Sequence, residues 1–108
     1  MMVQFQHLSA QDARPMIENQ QATVADTRDV MSYTSGHISG AQPLDNSNLS
    51  EFIANTDKSK PLIVCCYHGN SSQGAAQYLA SQGFEQVYSL DGGYELWKIT
   101  HPDLCESS

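Results

Sequence analysis

The segment Pro61-Leu62-Ile63-Val64 is apolar at every position rather than at every second one. A strand with one face in water alternates apolar and polar residues. One that is apolar throughout is buried on both faces, as in a parallel sheet covered by helices on each side. This run ends at Cys65, a short polar loop follows, and Gln73 to Gln82 then carries a helical pattern.

Four other stretches read as strands: Gln4 to Leu8, Thr23 to Asp26, a short one near Gln42 to Leu44, and Gln86 to Leu90. Between them lie helices with recognisable punctuation. Ser9 opens a capping box with Asp12 ahead of Ala13, Met16 and Ile17. Ser47 or Asn48 caps a short helix through Ala54, and Gly83 ends the helix that carries Ala75, Ala76, Tyr78, Leu79 and Ala80. Asp91-Gly92-Gly93 turns the chain into a last helix bearing Tyr94, Leu96, Trp97 and Ile99, with Pro102 beyond it. Thr27 to Pro43 reads as a long loop with one helical turn at most, and a loop of that length in a compact domain is functional or tightly packed. The expectation is an α/β fold, a single domain over residues 1–108, with five strands in a parallel sheet flanked by helices on both faces.

Charge and cysteine usage narrow the function. Lys and Arg number 5 against 12 Asp and Glu, a formal charge of -7 that repels phosphate backbones, so nucleic acid is not expected as a partner. The same field works against steering a small anion, so anion binding has to come from short-range oriented donors. Met1 to Leu8 lacks a basic segment followed by an apolar one, and no apolar run approaches the roughly 18 to 20 residues of a membrane span. Three cysteines, two of them adjacent, suit reduced thiols in the cytoplasm. Cys105, in the polar tail Pro102 to Ser108, is expected to be exposed and frayed.

The loop after Val64 holds the chemistry. Ligands of parallel sheets bind off the carboxyl ends of the strands, and Cys65 stands at such an end. The amides of a tight loop and of the helix after it favour a thiolate and attract an anion. Cys65 is therefore the expected nucleophile, and Cys66, Tyr67, His68, Gly69 and Asn70 the expected substrate cradle, with Ser71 and Ser72 as further donors. Cys66, adjacent in sequence, should turn to the opposite side and serve through its backbone.

Spacing removes competing readings. A phosphatase cradle needs Arg six places after its Cys, but Ser71 follows Cys65 and Ser72 follows Cys66 at that distance. Adjacent cysteines are not a Cys-x-x-Cys redox pair, Cys65, Cys66 and His68 lie too close together to wrap one zinc ion, and no Gly-Lys-Ser follows Gly69 to Gly74. No metal or cofactor is expected.

Three separated signatures make the chain resemble the rhodanese sulfurtransferases in their single-domain form. They are Asp26-Thr27-Arg28 leading through Tyr33 to Gly36-His37-Ile38-Ser39-Gly40-Ala41; the strand, cysteine, loop and helix around Cys65; and Val87, Leu90, Gly92-Gly93 and Trp97. The resemblance runs from the first strand to Trp97. It implies a five-stranded parallel sheet and a thiosulfate sulfurtransferase that carries a persulfide on the loop cysteine, which maps by position to Cys65. It also implies ping-pong transfer to cyanide or a dithiol such as a thioredoxin, with release of sulfite. Asp26 and Arg28 then take a supporting place as a buried ion pair or loop cap, and His37 and Trp97 are structural. The loop from Cys66 to Ser71 has no permanently charged side chain, so backbone amides and neutral groups have to hold the anion.

Overall fold

The computed structural model of the chain describes residues 4–107. Residues 1–3 and 108, the ends of the expected 1–108 domain and the start of the Met1–Leu8 stretch, lie outside the described residues. Along the chain come β1 (Gln6–Leu8), α1 (Ala10–Glu18), β2 (Thr23–Asp26), α2 (Val30–Ser35), β3 (His37–Ile38), β4 (Gln42–Pro43) and α3 (Leu49–Asn55). β5 (Leu62–Cys65), α4 (Ser71–Ala80), β6 (Val87–Leu90), α5 (Gly93–Thr100), a 3-10 turn (Pro102–Leu104) and β7 (Cys105–Glu106) complete it. Five strands form one parallel sheet in the order β1-β6-β5-β2-β4, as expected, and β5 is central.

Two cores flank this sheet, and β5 feeds both because its side chains alternate. Ile63 and Cys65 pack with Ala13 and Ile17 of α1 and with Tyr94 and Trp97 of α5. Leu62 and Val64 pack with Phe52 of α3 and with Ala76, Leu79 and Ala80 of α4. All four β5 residues are buried, which is why the segment is apolar without alternation. The Ser9 cap forms as expected, its hydroxyl accepting from Asp12 N–H at 3.0 Å.

Several local expectations are revised. α4 starts at Ser71 rather than Gln73, which moves Ser72 from the loop into a first helical turn. α5 buries Tyr94 and Trp97, while Leu96 and Ile99 face outward. Lys58 is half-buried, donates to Ile53 O near the end of α3 and lies 5.3 Å over the Phe84 ring. The C-terminal tail is held rather than frayed. β7 pairs antiparallel with β3, and Leu104 O accepts both Trp97 Nε1–H at 3.1 Å and Ser39 N–H at 2.9 Å. Cys105 is partly buried against the α1/α5 core. The tail reads as frayed in sequence because its anchor is Trp97, which binds it through a main-chain carbonyl with no side-chain signature.

At the end of β2 the buried Asp26 carboxylate receives four contacts from Arg28. The backbone N–H and Nε donate to Oδ1 at 2.9 and 3.0 Å, and Nε and Nη2 donate to Oδ2 at 3.1 and 2.8 Å. Arg28 Nη2 also donates to Gly36 O at 2.6 Å, closing the long connection onto the sheet. With both side chains almost inaccessible, each charge depends on the other. Asp26→Ala is expected to lower the unfolding free energy by about 3–5 kcal/mol by stranding the Arg28 charge. In denaturant titration this appears as a lower midpoint at unchanged slope; a loss below about 1 kcal/mol, the range of an exposed pair, would contradict it.

Candidate active site

Three chain ends meet at the carboxyl edge of the sheet: β2 into Arg28, β5 into the 66–70 loop, and β6 through Asp91-Gly92-Gly93 into α5. The loop carbonyls are tied down from outside. Cys65 O accepts from Thr27 N–H at 2.9 Å and Thr27 Oγ1–H at 3.1 Å. The first amides of α5 take the next two, Tyr94 N–H donating to Cys66 O at 2.8 Å and Glu95 N–H to Tyr67 O at 3.0 Å. Gln73 Nε2–H donates to Gly69 O at 2.9 Å. These bonds fix the path of the loop, and two amides further along it, those of Gly69 and Ser72, converge on a sulfur.

That sulfur belongs to Cys66. Its Sγ accepts from Gly69 N–H at 3.1 Å and from Ser72 N–H at 3.2 Å, and lies 3.2 Å from Ser72 Oγ. Ser72 occupies the first turn of α4, where helical amides have no intrahelical acceptor, so its N–H is free to serve the sulfur. Burial pushes the Cys66 thiol up, but the Ser72 hydroxyl, the Ser71 hydroxyl and the Ser72 and Gly69 amides outweigh it and hold the thiol below its ordinary range. The thiolate form of Cys66 is thus favoured relative to an ordinary thiol.

Cys65, the expected nucleophile, has the opposite environment. Its side chain packs into the α1/α5 core, wholly buried. Burial and the neighbouring Asp26 carboxylate drive its thiol far above the ordinary range, against a smaller opposing effect of Arg28. The expected convergence of amides on Cys65 is therefore corrected to Cys66, and the expected backbone-only part for Cys66 falls with it. The alternation rule itself was sound: the two side chains do point to opposite faces. The loop and α4 lie on the Cys66 face.

The other expected cradle residues divide by what they touch. Gly69 supplies an amide and adopts φ +90, and a Cβ there would stand 2.9 Å from Gly92 N and 3.0 Å from Leu90 O. Tyr67 forms the rim, its hydroxyl donating to Asp29 Oδ1 and lying 3.0 Å from Ser32 Oγ. The Tyr67 hydroxyl, followed by Ser32, holds the Asp29 carboxyl down at about 2. His68 is exposed on the outer loop, and Asn70 stands just before α4 with its side chain making no cap. Behind the rim the Arg28 guanidinium lies 4.2 Å from the Tyr94 ring centroid and 5.8 Å from that of Tyr67, a cation–π bracket joining α5 to the loop. Sequence reasoning missed Ser89 of β6, whose buried hydroxyl sits 2.8 Å from Ser72 Oγ. Only its polar character among apolar strand neighbours marks it.

The chain is similar to known proteins over most of its length. The rhodanese-like domain family matches residues 9–100. A protein of Ectopseudomonas mendocina named thiosulfate sulfurtransferase GlpE is 55% identical over 101 residues, covering 94% of this chain and 92% of that one. A protein of the same name from Stutzerimonas stutzeri is 52% identical over 105 residues, covering 97% and 95%. Among solved structures, the rhodanese-like domain of an Anabaena protein superposes with TM-score 0.81 at 28% identity, covering 94% of this chain and 79% of that one. A rhodanese-related protein of Thermoplasma volcanium gives TM-score 0.76 at 27% identity, with 90% and 94% covered.

The double glycine has a structural reason in the loop it abuts. Gly93 has φ +58, and a Cβ there would meet Cys66 O and also Tyr67 O at 2.5 Å, the two carbonyls that α5 captures. Gly93→Ala is expected to keep the sheet and its far-ultraviolet circular dichroism while displacing these carbonyls. Loss of one oriented donor costs about a hundredfold or more in oxyanion-type sites, so sulfur transfer should fall by at least about tenfold. Undiminished transfer would show that the carbonyl capture does not orient the cradle.

Proposed function

The chain belongs to the rhodanese-like domain family and is a thiosulfate sulfurtransferase, and we propose that it works through a persulfide on Cys66. The observation that carries this reading is the convergence of Gly69 N–H, Ser72 N–H and Ser72 Oγ on one sulfur at 3.1, 3.2 and 3.2 Å. Such an arrangement stabilises first a thiolate and then the anionic persulfide that replaces it.

In the first half-reaction the Cys66 thiolate attacks the outer, sulfane sulfur of thiosulfate. The sulfur–sulfur bond of the donor breaks, sulfite leaves with the bonding pair, and the transferred sulfur stays on Cys66 as a persulfide. In the second, a thiophilic acceptor, cyanide or a dithiol such as a reduced thioredoxin, attacks the terminal sulfur and returns Cys66 to the thiolate. Ping-pong kinetics follow from the covalent intermediate. The donor anion is held by amides and hydroxyls, with His68 the one ionisable base of the loop. A cytoplasmic setting, where thiols remain reduced, suits three free cysteines, and the whole chain 1–108 acts as one rhodanese-like domain.

The deciding experiment is mass spectrometry after exposure to thiosulfate. Wild type and Cys65→Ser should each gain the mass of one sulfur, located on Cys66, whereas Cys66→Ser should gain none; a gain mapped to Cys65 would overturn the assignment. The pH dependence has a definite sign. A depressed thiol pKa means that thiolate persists to lower pH, so the first half-reaction should lose rate only as pH falls through a midpoint below the ordinary thiol value. Single-turnover rates of persulfide formation against pH read that midpoint. One at or above the ordinary value would contradict the thiolate environment of Cys66.

A further inference from the structure

Ser89 lies wholly buried in β6, in hydrogen-bond register between β1 and the central strand β5. Its neighbour Val87 belongs to the α3/α4 core, and a serine in such surroundings needs a partner. The partner is Ser72 Oγ at 2.8 Å, itself 3.2 Å from Cys66 Sγ. Ser72 and Ser89 are each at 0% exposure, so no water mediates the line from strand to sulfur.

A hydroxyl carries one proton, and this limits what Ser72 can do. When Cys66 is a thiol, S–H donates to Ser72 Oγ, and Ser72 donates onward to Ser89. When Cys66 is a thiolate, Ser72 has to turn its proton toward the sulfur, and its oxygen is then left facing Ser89. That orientation is satisfied only if Ser89 donates to it. We propose that Ser89 is a positioning residue for sulfur transfer: it donates to Ser72 when Cys66 ionises, so that two buried hydroxyls reverse together and hold the thiolate. The bond broken is S–H, its proton goes to bulk water, and no other bond changes. Chains of this kind polarise one another, so the second hydroxyl strengthens the first. Its consequence for catalysis rests on the reading of Cys66 as sulfur carrier.

Other ionisable groups stand on the elements that meet at the loop but outside this line. They are Cys65 at the end of β5, Asp26 and Arg28 at the end of β2, Tyr94 and Glu95 in the first turn of α5, and Tyr67 and His68 on the loop. The first turn of α4 has no acidic residue, and Tyr88 of β6 packs with the opposite core.

The test is the titration of the Cys66 thiolate by ultraviolet absorbance, read as the difference between protein with and without Cys66→Ser. Ser89→Ala is expected to raise the midpoint by about half a pH unit, lowering transfer about threefold below that midpoint and leaving it unchanged well above. Ser72→Ala should raise it at least as far, and adding Ser89→Ala to Ser72→Ala should add nothing. Ser89→Thr, which keeps the hydroxyl, should retain the wild-type midpoint. An unmoved midpoint in Ser89→Ala, an undiminished further rise on the Ser72→Ala background, or a rise in Ser89→Thr equal to that in Ser89→Ala would each overturn the proposal. The titration reads the thiol without sulfur transfer, so its outcome is separable from the persulfide mapping that tests the function.

Discussion

The capture of two carbonyls, Cys66 O and Tyr67 O, by the first amides of α5 is the interaction on which the site depends. It fixes the path of a short loop that has no permanently charged side chain. A helix N-terminus has unused N–H groups, and here they are spent on peptide oxygens rather than on a ligand. The first part of the loop is thereby fixed in place, and further along it the Gly69 and Ser72 amides meet the sulfur. Gly93 makes the approach possible, since any Cβ there would occupy the space of the captured oxygens. The C-terminal helix therefore belongs to the active site although none of its side chains contacts Cys66 Sγ in the hydrogen bonds described.

A second constraint sits beneath the first. The Asp26–Arg28 pair neutralises two charges in the interior, and the Arg28 guanidinium then spans from Gly36 O to the rings of Tyr94 and Tyr67. One side chain thus links the long connection, α5 and the loop. A buried ion pair is weak evidence for stability, because desolvation offsets most of its attraction. Its use here is positional: a planar group with five donors and two flat faces can fasten three segments where an aliphatic side chain would only fill space.

Much of the architecture was legible because it follows from local rules. The unalternating run Leu62–Cys65 required burial on both faces, the Ser9 cap marked α1, and Gly92-Gly93 marked a turn into a helix. The docked tail was not legible, since Trp97 holds it through the Leu104 carbonyl and every residue has a carbonyl. Ser89 was not either, because its partner Ser72 is 17 positions away in sequence and on a different element. α4 starts at Ser71, two residues before the helical pattern in the sequence, and this places the Ser72 amide in its first turn.

The sequence alone determined a parallel α/β sheet with a cysteine-bearing loop at the carboxyl end of its central strand, and its spacing lacks the Arg of a phosphatase cradle and the Cys-x-x-Cys of a redox pair. It pointed to Cys65 rather than Cys66, without the information to choose between them. A strand buried on both faces is apolar on both, so the pattern carries no mark of which face receives the following helix. Only the tertiary structure, by packing α4 against Leu62 and Val64 and α5 against Ile63 and Cys65, placed the loop amides on the Cys66 side. Two adjacent thiols of the same chemistry thereby acquire opposite properties, one sealed in a core and one held in a ring of donors.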